Sequence, residues 1–190
     1  MTEKESLEII INMIDRTKEN LKEQSGFYLI WGGSIFLAAL VEYVLFVFYA
    51  YPHHYIVWPV SILIAVAATI FMATKMNRKK QVRTYTDKAL NYLWATWSAM
   101  LFLVLVFSAV GGISWATSYV LIIALYGMGT LISGGILNFR PLIIGGMISL
   151  AIALVSIITG WFSDFPSMLL ALCASISASF LVPGYLLRKS

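Results

Sequence analysis

Residues 55–74 read YIVWPVSILIAVAATIFMAT, and residues 75–88, which follow directly, read KMNRKKQVRTYTDK. The first stretch is apolar over about 20 residues, the length a helix needs to cross a hydrocarbon core of about 30 Å. The second carries Lys75, Arg78, Lys79, Lys80, Arg83 and Lys88. An apolar block closed by a cluster of cations reads as a membrane span anchored on the cytoplasmic side, because short cytoplasmic loops are enriched in lysine and arginine. The same cluster taken as a nucleic-acid patch leaves its apolar neighbour unexplained.

Working outward, the pattern repeats. Apolar blocks occupy about 26–49, 55–74, 89–110, 115–137, 141–160 and 167–187. They are separated by Tyr51-Pro52-His53-His54, the basic loop, Gly111-Gly112, Asn138-Phe139-Arg140-Pro141 and Ser163-Asp164-Phe165-Pro166. Of the 190 residues, 60% are hydrophobic and 12% charged, against about 25% charged in soluble domains. Helices are the expected form, since a helix satisfies its own backbone where no water is present. The predicted fold is all-α, a polytopic bundle of six transmembrane helices that can be read as three hairpins. Pro141 suits a first helical turn, whereas Pro183-Gly184 is expected to end the sixth helix.

Residues 1–24 differ in composition and are charged. Thr2 and Glu5 have capping-box spacing, and Leu7, Ile10, Ile11, Ile14 and Leu21 recur at helical intervals. The expected domains are therefore a cytoplasmic amphipathic helix at 1–24 and the membrane bundle at 25–190. No short apolar region precedes a cleavage site, so the first span is expected to act as its own insertion signal. With the amino terminus inside, all 13 lysines and arginines face the cytoplasm and both termini lie there; the reverse orientation places every one outside. The tryptophans Trp31, Trp58, Trp94, Trp97, Trp115 and Trp161 fall mostly near span ends, where the interface accepts an amphipathic ring.

Chemistry-bearing residues are few. Glu42 is the one ionisable side chain well inside a span, about 24 Å along the first helix. A carboxylate at that depth costs a few kcal/mol, so it must face the bundle, be protonated or have a partner. One reading is a proton or cation site with Tyr126. The other is structural, with a hydroxyl such as that of Tyr126 or Ser108 as partner, or with the carboxylate reaching up to water near Tyr51. His53 and His54 form a candidate outer vestibule or simply a solvated loop; adjacent side chains diverge too far to hold a metal by themselves. Gly127, Gly129, Gly134, Gly135, Gly145 and Gly146 are expected to let helix backbones approach closely. The segment Leu29-Ile30-Trp31-Gly32-Gly33-Ser34-Ile35 lays over Leu142-Ile143-Ile144-Gly145-Gly146-Met147-Ile148, a short match compatible with duplicated hairpins. The lone Cys173 excludes an internal disulfide. Neither a hydrolase elbow, a zinc-protease motif nor a phosphate loop occurs, so no enzyme, metal or cofactor is expected.

The stretch Tyr126-Gly127-Met128-Gly129-Thr130, then Ser133 to Gly146 (SGGILNFRPLIIGG), with Pro183-Gly184-Tyr185-Leu186-Leu187 near the end and Glu5-Ser6-Leu7 near the start, resembles a family of small bacterial membrane proteins with no assigned activity. The resemblance implies a six-span protein of the bacterial inner membrane and carries over no site residues. Two functions are compatible with these features. One is a small-solute or ion transporter or channel using the embedded carboxylate. The alternative is a membrane-anchored regulatory or scaffold protein whose leading helix and basic 75–88 loop bind a cytoplasmic partner. The expected partners are the lipid bilayer, such a protein, or a second copy of the chain, and no nucleic acid.

Overall fold

The computed structural model describes residues 3–77, 85–160 and 164–189, with side chains described at 24–75, 85–160 and 164–189. Arg78, Lys79, Lys80, Arg83, Trp161 and Ser163 lie outside the described residues, as do the side chains that would make the leading segment amphipathic. Every described element is helical: α1 (Glu3–Val47), a 3₁₀ turn (His54–Ile56), α2 (Val57–Asn77), α3 (Tyr85–Ala109), α4 (Trp115–Leu137), α5 (Arg140–Thr159), α6 (Phe165–Ile176), a π-helical turn (Ser177–Leu181) and α7 (Val182–Lys189). Six helical stretches are long and apolar enough to cross a membrane: Gln24–Val47, His54–Lys75, Tyr85–Ala109, Trp115–Leu137, Arg140–Thr159 and Phe165–Lys189. The chain is a multi-pass all-helical protein of membrane-spanning composition.

Helix ends follow local chemistry. Ser114 caps α4 by accepting a hydrogen bond from the Thr117 N–H at 3.1 Å. Asn138, in the left-handed region at φ 51°, ends that helix, and Phe139 N–H reaches back to Gly134 O at 2.9 Å. Pro141 lies in the first turn of α5, where its missing N–H costs nothing. Asp164 caps α6: its carboxylate accepts from the Ser167 hydroxyl at 2.8 and 2.9 Å and from the Ser167 N–H at 3.1 Å. Those bonds, the hydroxyl's first, hold its carboxyl below the ordinary value.

Two details depart from the sequence reading. The leading segment and the first span share one unbroken 45-residue helix, about 68 Å long; the division near residue 24 is one of composition and not of backbone. The last helix does not end at Pro183-Gly184. It opens into a π-helical turn at Ser177–Leu181 and continues to Lys189. A proline removes one backbone donor and crowds the carbonyl four residues earlier, here that of Ser179. Widening the turn around that carbonyl lets the helix pass the proline.

The helices are unequally packed. Contact is densest between α4 and α5, and α1 lies along α6 and α7, so these elements form the centre of the bundle; α2 packs mainly on α1, and α3 mainly on α4. Only 6% of the second span's most apolar window is buried against protein, compared with 50% for the last span. The glycines explain the close side. A Cβ on Gly146 would lie 2.7 Å from both Gly127 O and Leu131 N, and one on Gly134 would lie 2.7 Å from Ile143 N. On Gly145 it would collide with the Ala178 carbonyl, and on Gly127 it would meet Leu150 at 2.9 Å. Gly129 instead makes room for Trp97 of α3, at 3.1 Å. Gly135 is exposed, and a Cβ there would meet nothing; it holds no helices together. Buried hydroxyls add cross-links: Ser149 of α5 donates to Ile123 O of α4 at 3.0 Å and accepts from Ser175 of α6 at 2.5 Å. The aligned Gly32 and Gly145 both receive the π turn, meeting Phe180 and Ala178 respectively, but Gly33 meets nothing where Gly146 meets α4. The likeness of the two segments is thus partial in space as well.

Candidate functional site

Glu42 sits about five residues from the end of α1 and is 1% exposed. Three other elements bring donors to it. His54 Nδ1, from the 3₁₀ turn, lies 2.8 Å from Oε1. Trp58 Nε1–H of α2 donates to Oε2 at 2.6 Å, and the Tyr119 hydroxyl of α4 donates to the same oxygen at 3.3 Å. With Glu42 ionised, His54 Nδ1–H is the third donor, and the carboxylate is satisfied by hydrogen bonds on both oxygens, the condition for burying a charge in an apolar medium. His54 is itself fixed by ring contacts with Phe46 and Phe165, centroids 5.1 and 5.4 Å apart. Its side chain keeps 21% exposure against 2% for that of Glu42. The histidine is therefore the more exposed member of the pair.

Each sequence candidate has a definite place. Glu42 is buried and partnered. His54 joins it, whereas His53 is exposed and lies between the rings of Tyr51 and Tyr55 at 6.0 and 5.9 Å. Tyr126 does not reach Glu42: it packs on Trp97 and Phe180, centroids 4.8 and 5.3 Å away. Ser108 bonds to Val104 O and to Ser118. The phenol at the site is Tyr119, two helical turns from Tyr126 on the same face. Depth separates them. Tyr119 is about 6 Å into α4 from the end shared with Glu42, itself about 7.5 Å into α1 from that end, while Tyr126 lies about 16 Å in. Trp58 was also legible in principle, since it follows His54 by four residues and so shares its helix face.

Because α2 and α3 each lean on a different helix, a cleft of about 770 Å³ opens between them. Glu42, His54 and Trp58 stand at one end, and the wall continues past Tyr119 and Leu101 to Trp31, Trp97, Ser98 and Tyr126. Those last four residues also line a second cavity of about 270 Å³, which extends to Gln24 at the other end of the first span. The two cavities thus adjoin along the bundle, sharing Trp31, Trp97, Ser98 and Tyr126 in their walls. Thr69 Oγ1, lining the second cavity, is buried without a hydrogen-bond partner among the described residues. Trp31, Trp58, Trp94, Trp97 and Trp115 all face one cavity or the other. Proximity to span ends is thus only part of what these rings do. Among the described residues no group of three side chains could hold a metal ion.

Compared with family models, with curated proteins and with solved structures, the sequence has no match.

Proposed function

We propose that this protein is a small-solute transporter of the bacterial inner membrane, with both termini cytoplasmic and Glu42 and His54 as its proton-exchanging pair. The observation that carries the reading is the placement of a single buried carboxylate on the wall of a cleft that, with the cavity beyond it, runs along the bundle from the Glu42 end to the Gln24 end. Intramembrane ionisable residues facing a cavity are the usual groups through which solute movement is coupled to protons. Trp31, Trp97, Ser98 and Tyr126 line both cavities, and in this reading movement of these side chains, or a shift of the thinly packed α2 or α3, joins them. Lys75, Lys88, Arg140, Arg188 and Lys189 all lie at helix ends on the Gln24 side, which fits a cytoplasmic face there. The family resemblance of the 126–146 stretch favours the bacterial inner membrane.

A second reading has its own support. The 21 residues of α1 that precede Gln24 continue the helix by about 32 Å beyond the span, a form suited to docking a cytoplasmic protein, so that the chain would act as a regulatory scaffold. Proteoliposomes containing a pH-sensitive dye separate the two. Gradients of an amino acid, a sugar, an organic acid and an aliphatic amine are imposed in turn and internal pH is followed. Transport requires proton movement with at least one of them, abolished in Glu42→Gln at unchanged protein level. Silence with all of them, or a Glu42→Gln variant that behaves as wild type, supports the scaffold.

A further inference from the structure

We propose that the cleft between α2 and α3 is a binding site for lipophilic organic cations, bodies of aromatic or branched apolar character carrying one positive charge, and that their binding expels a proton from the His54–Glu42 pair. The proposal rests on the reading of this cleft as the solute site and names the class of solute.

Charge comes first. Among the described residues the cavity walls carry one acidic side chain, Glu42, and no lysine or arginine. An anionic headgroup or carboxylate solute would therefore meet only repulsion and a single histidine. The walls are also wrong for a small inorganic cation: no three metal-ligating side chains converge, and the remaining polar groups are mostly committed, Ser61 to Ser34 O at 2.9 Å and Ser118 to Ser114 O and Ser108. A bare ion would lose its hydration shell without replacement. A cation that brings its own apolar shell loses no such shell, and it finds Trp31, Trp58, Trp97, Tyr119 and Tyr126 around it. Aromatic faces attract a desolvated cation through their quadrupoles. The volume, about 770 Å³, lies in the range of sites that hold drug-sized ligands, about 300–1,000 Å³.

The proton follows from the pairing. When His54 carries both ring protons, the pair with Glu42 is neutral overall and offers no net charge to an incoming cation. With one ring proton the pair is negative. A cation therefore binds the second form, and the proton leaves as it arrives. Among the described residues, the titrating side chains bonded to Glu42 are His54 and Tyr119; α2 contributes Trp58, α6 contributes Phe165, and Asp164, which precedes Phe165, is exposed. His53 and Tyr55 flank the turn but bond to neither oxygen. Affinity is therefore expected to rise with pH, by up to about tenfold per pH unit for one expelled proton.

The test uses the full chain in phosphatidylcholine nanodiscs, with empty nanodiscs as the baseline for partition into lipid. Tetraphenylphosphonium and tetraphenylborate have matched size and opposite charge, and their binding is read by equilibrium dialysis. The expected result is saturable binding of the phosphonium alone, tightening as pH rises, and weakened more than about tenfold in Glu42→Gln. Leu101→Trp, which fills the cleft without touching the carboxylate, is expected to weaken it as well. Equal binding of both ions, absence of phosphonium binding, pH-independent affinity, or wild-type affinity in both variants overturns the proposal. Phosphonium binding with no solute-driven proton movement in proteoliposomes would remove transport and leave the site. Proton movement with another solute and no phosphonium binding would do the reverse.

Discussion

The α4–α5–α6 side of the bundle and the α2–α3 side solve the same problem in opposite ways. On the first, glycines and serines bring backbones close enough for Gly146 to face Gly127 O and for Ser149 to tie α4 to α6. On the second, tryptophans and tyrosines stand between helices that do not close on each other, and a cleft is left. Lipid offers apolar side chains as good a surrounding as protein does, so tight association in a membrane depends on small residues and buried hydrogen bonds. Where large rings replace them, helices stay apart and space remains for a ligand. The polar cluster around Glu42 is what fastens the loose side to the tight one: its donors come from the 54–58 region and from α4, while the carboxylate belongs to α1.

The contrast can be broken from either side. Gly146→Leu should have the largest effect, because its side chain would meet backbone atoms that cannot yield; a loss of more than about 3 kcal/mol is expected, seen as absence of a monodisperse peak on size-exclusion chromatography in detergent. Gly135→Leu, with open space at its Cβ, should elute as wild type. Glu42→Leu comes next. It strands the Trp58 and Tyr119 donors and His54, a cost of about 3 kcal/mol, and should lower the thermal midpoint well below that of Glu42→Gln, which keeps an acceptor. Ser149→Ala removes a link between three helices at about 0.6–1.7 kcal/mol. Ser61→Ala, on the loosely held α2, should shift the midpoint less. The smallest effect belongs to Asp164→Ala at the cap of α6. The Asp164 carboxyl is held below its ordinary value by Ser167, so its contribution is present above the ordinary carboxylate range and fades as pH falls through the lowered value. The difference in midpoint between wild type and Asp164→Ala should accordingly be visible at neutral pH and vanish in acid.

Much of this architecture is legible in composition and period. Apolar blocks, turn residues and cation positions placed the spans to within a few residues, because span length is set by the bilayer and turn chemistry is local. Glycine spacing anticipated the tight side, Gly135 excepted: which face of α4 meets α5 is a tertiary fact that spacing does not contain. Pro183 misled, since a π turn absorbs a proline that an α turn would not. At the site, Glu42 stood out because a carboxylate in an apolar block is costly unless it is partnered, protonated or turned into the bundle. Its partners did not, since Trp58 and Tyr119 are common membrane residues whose convergence depends on how α2 and α4 are placed around α1. Counting depth from shared helix ends would have preferred Tyr119 to Tyr126. The cleft itself has no sequence signature, being the consequence of two helices that pack mainly on different neighbours.

The most direct test is therefore of that cleft. Leu101 lines it, while its neighbour Phe102, at the same depth, is 67% exposed on the outside of the bundle. Leu101→Cys and Phe102→Cys, each in a Cys173→Ala background, are treated in intact membranes with a membrane-impermeant thiol reagent. Labelling at 101 and none at 102 is the predicted result. Absence of labelling at both would mean a dry space filled by lipid, and would remove the path through which Glu42 is argued to act.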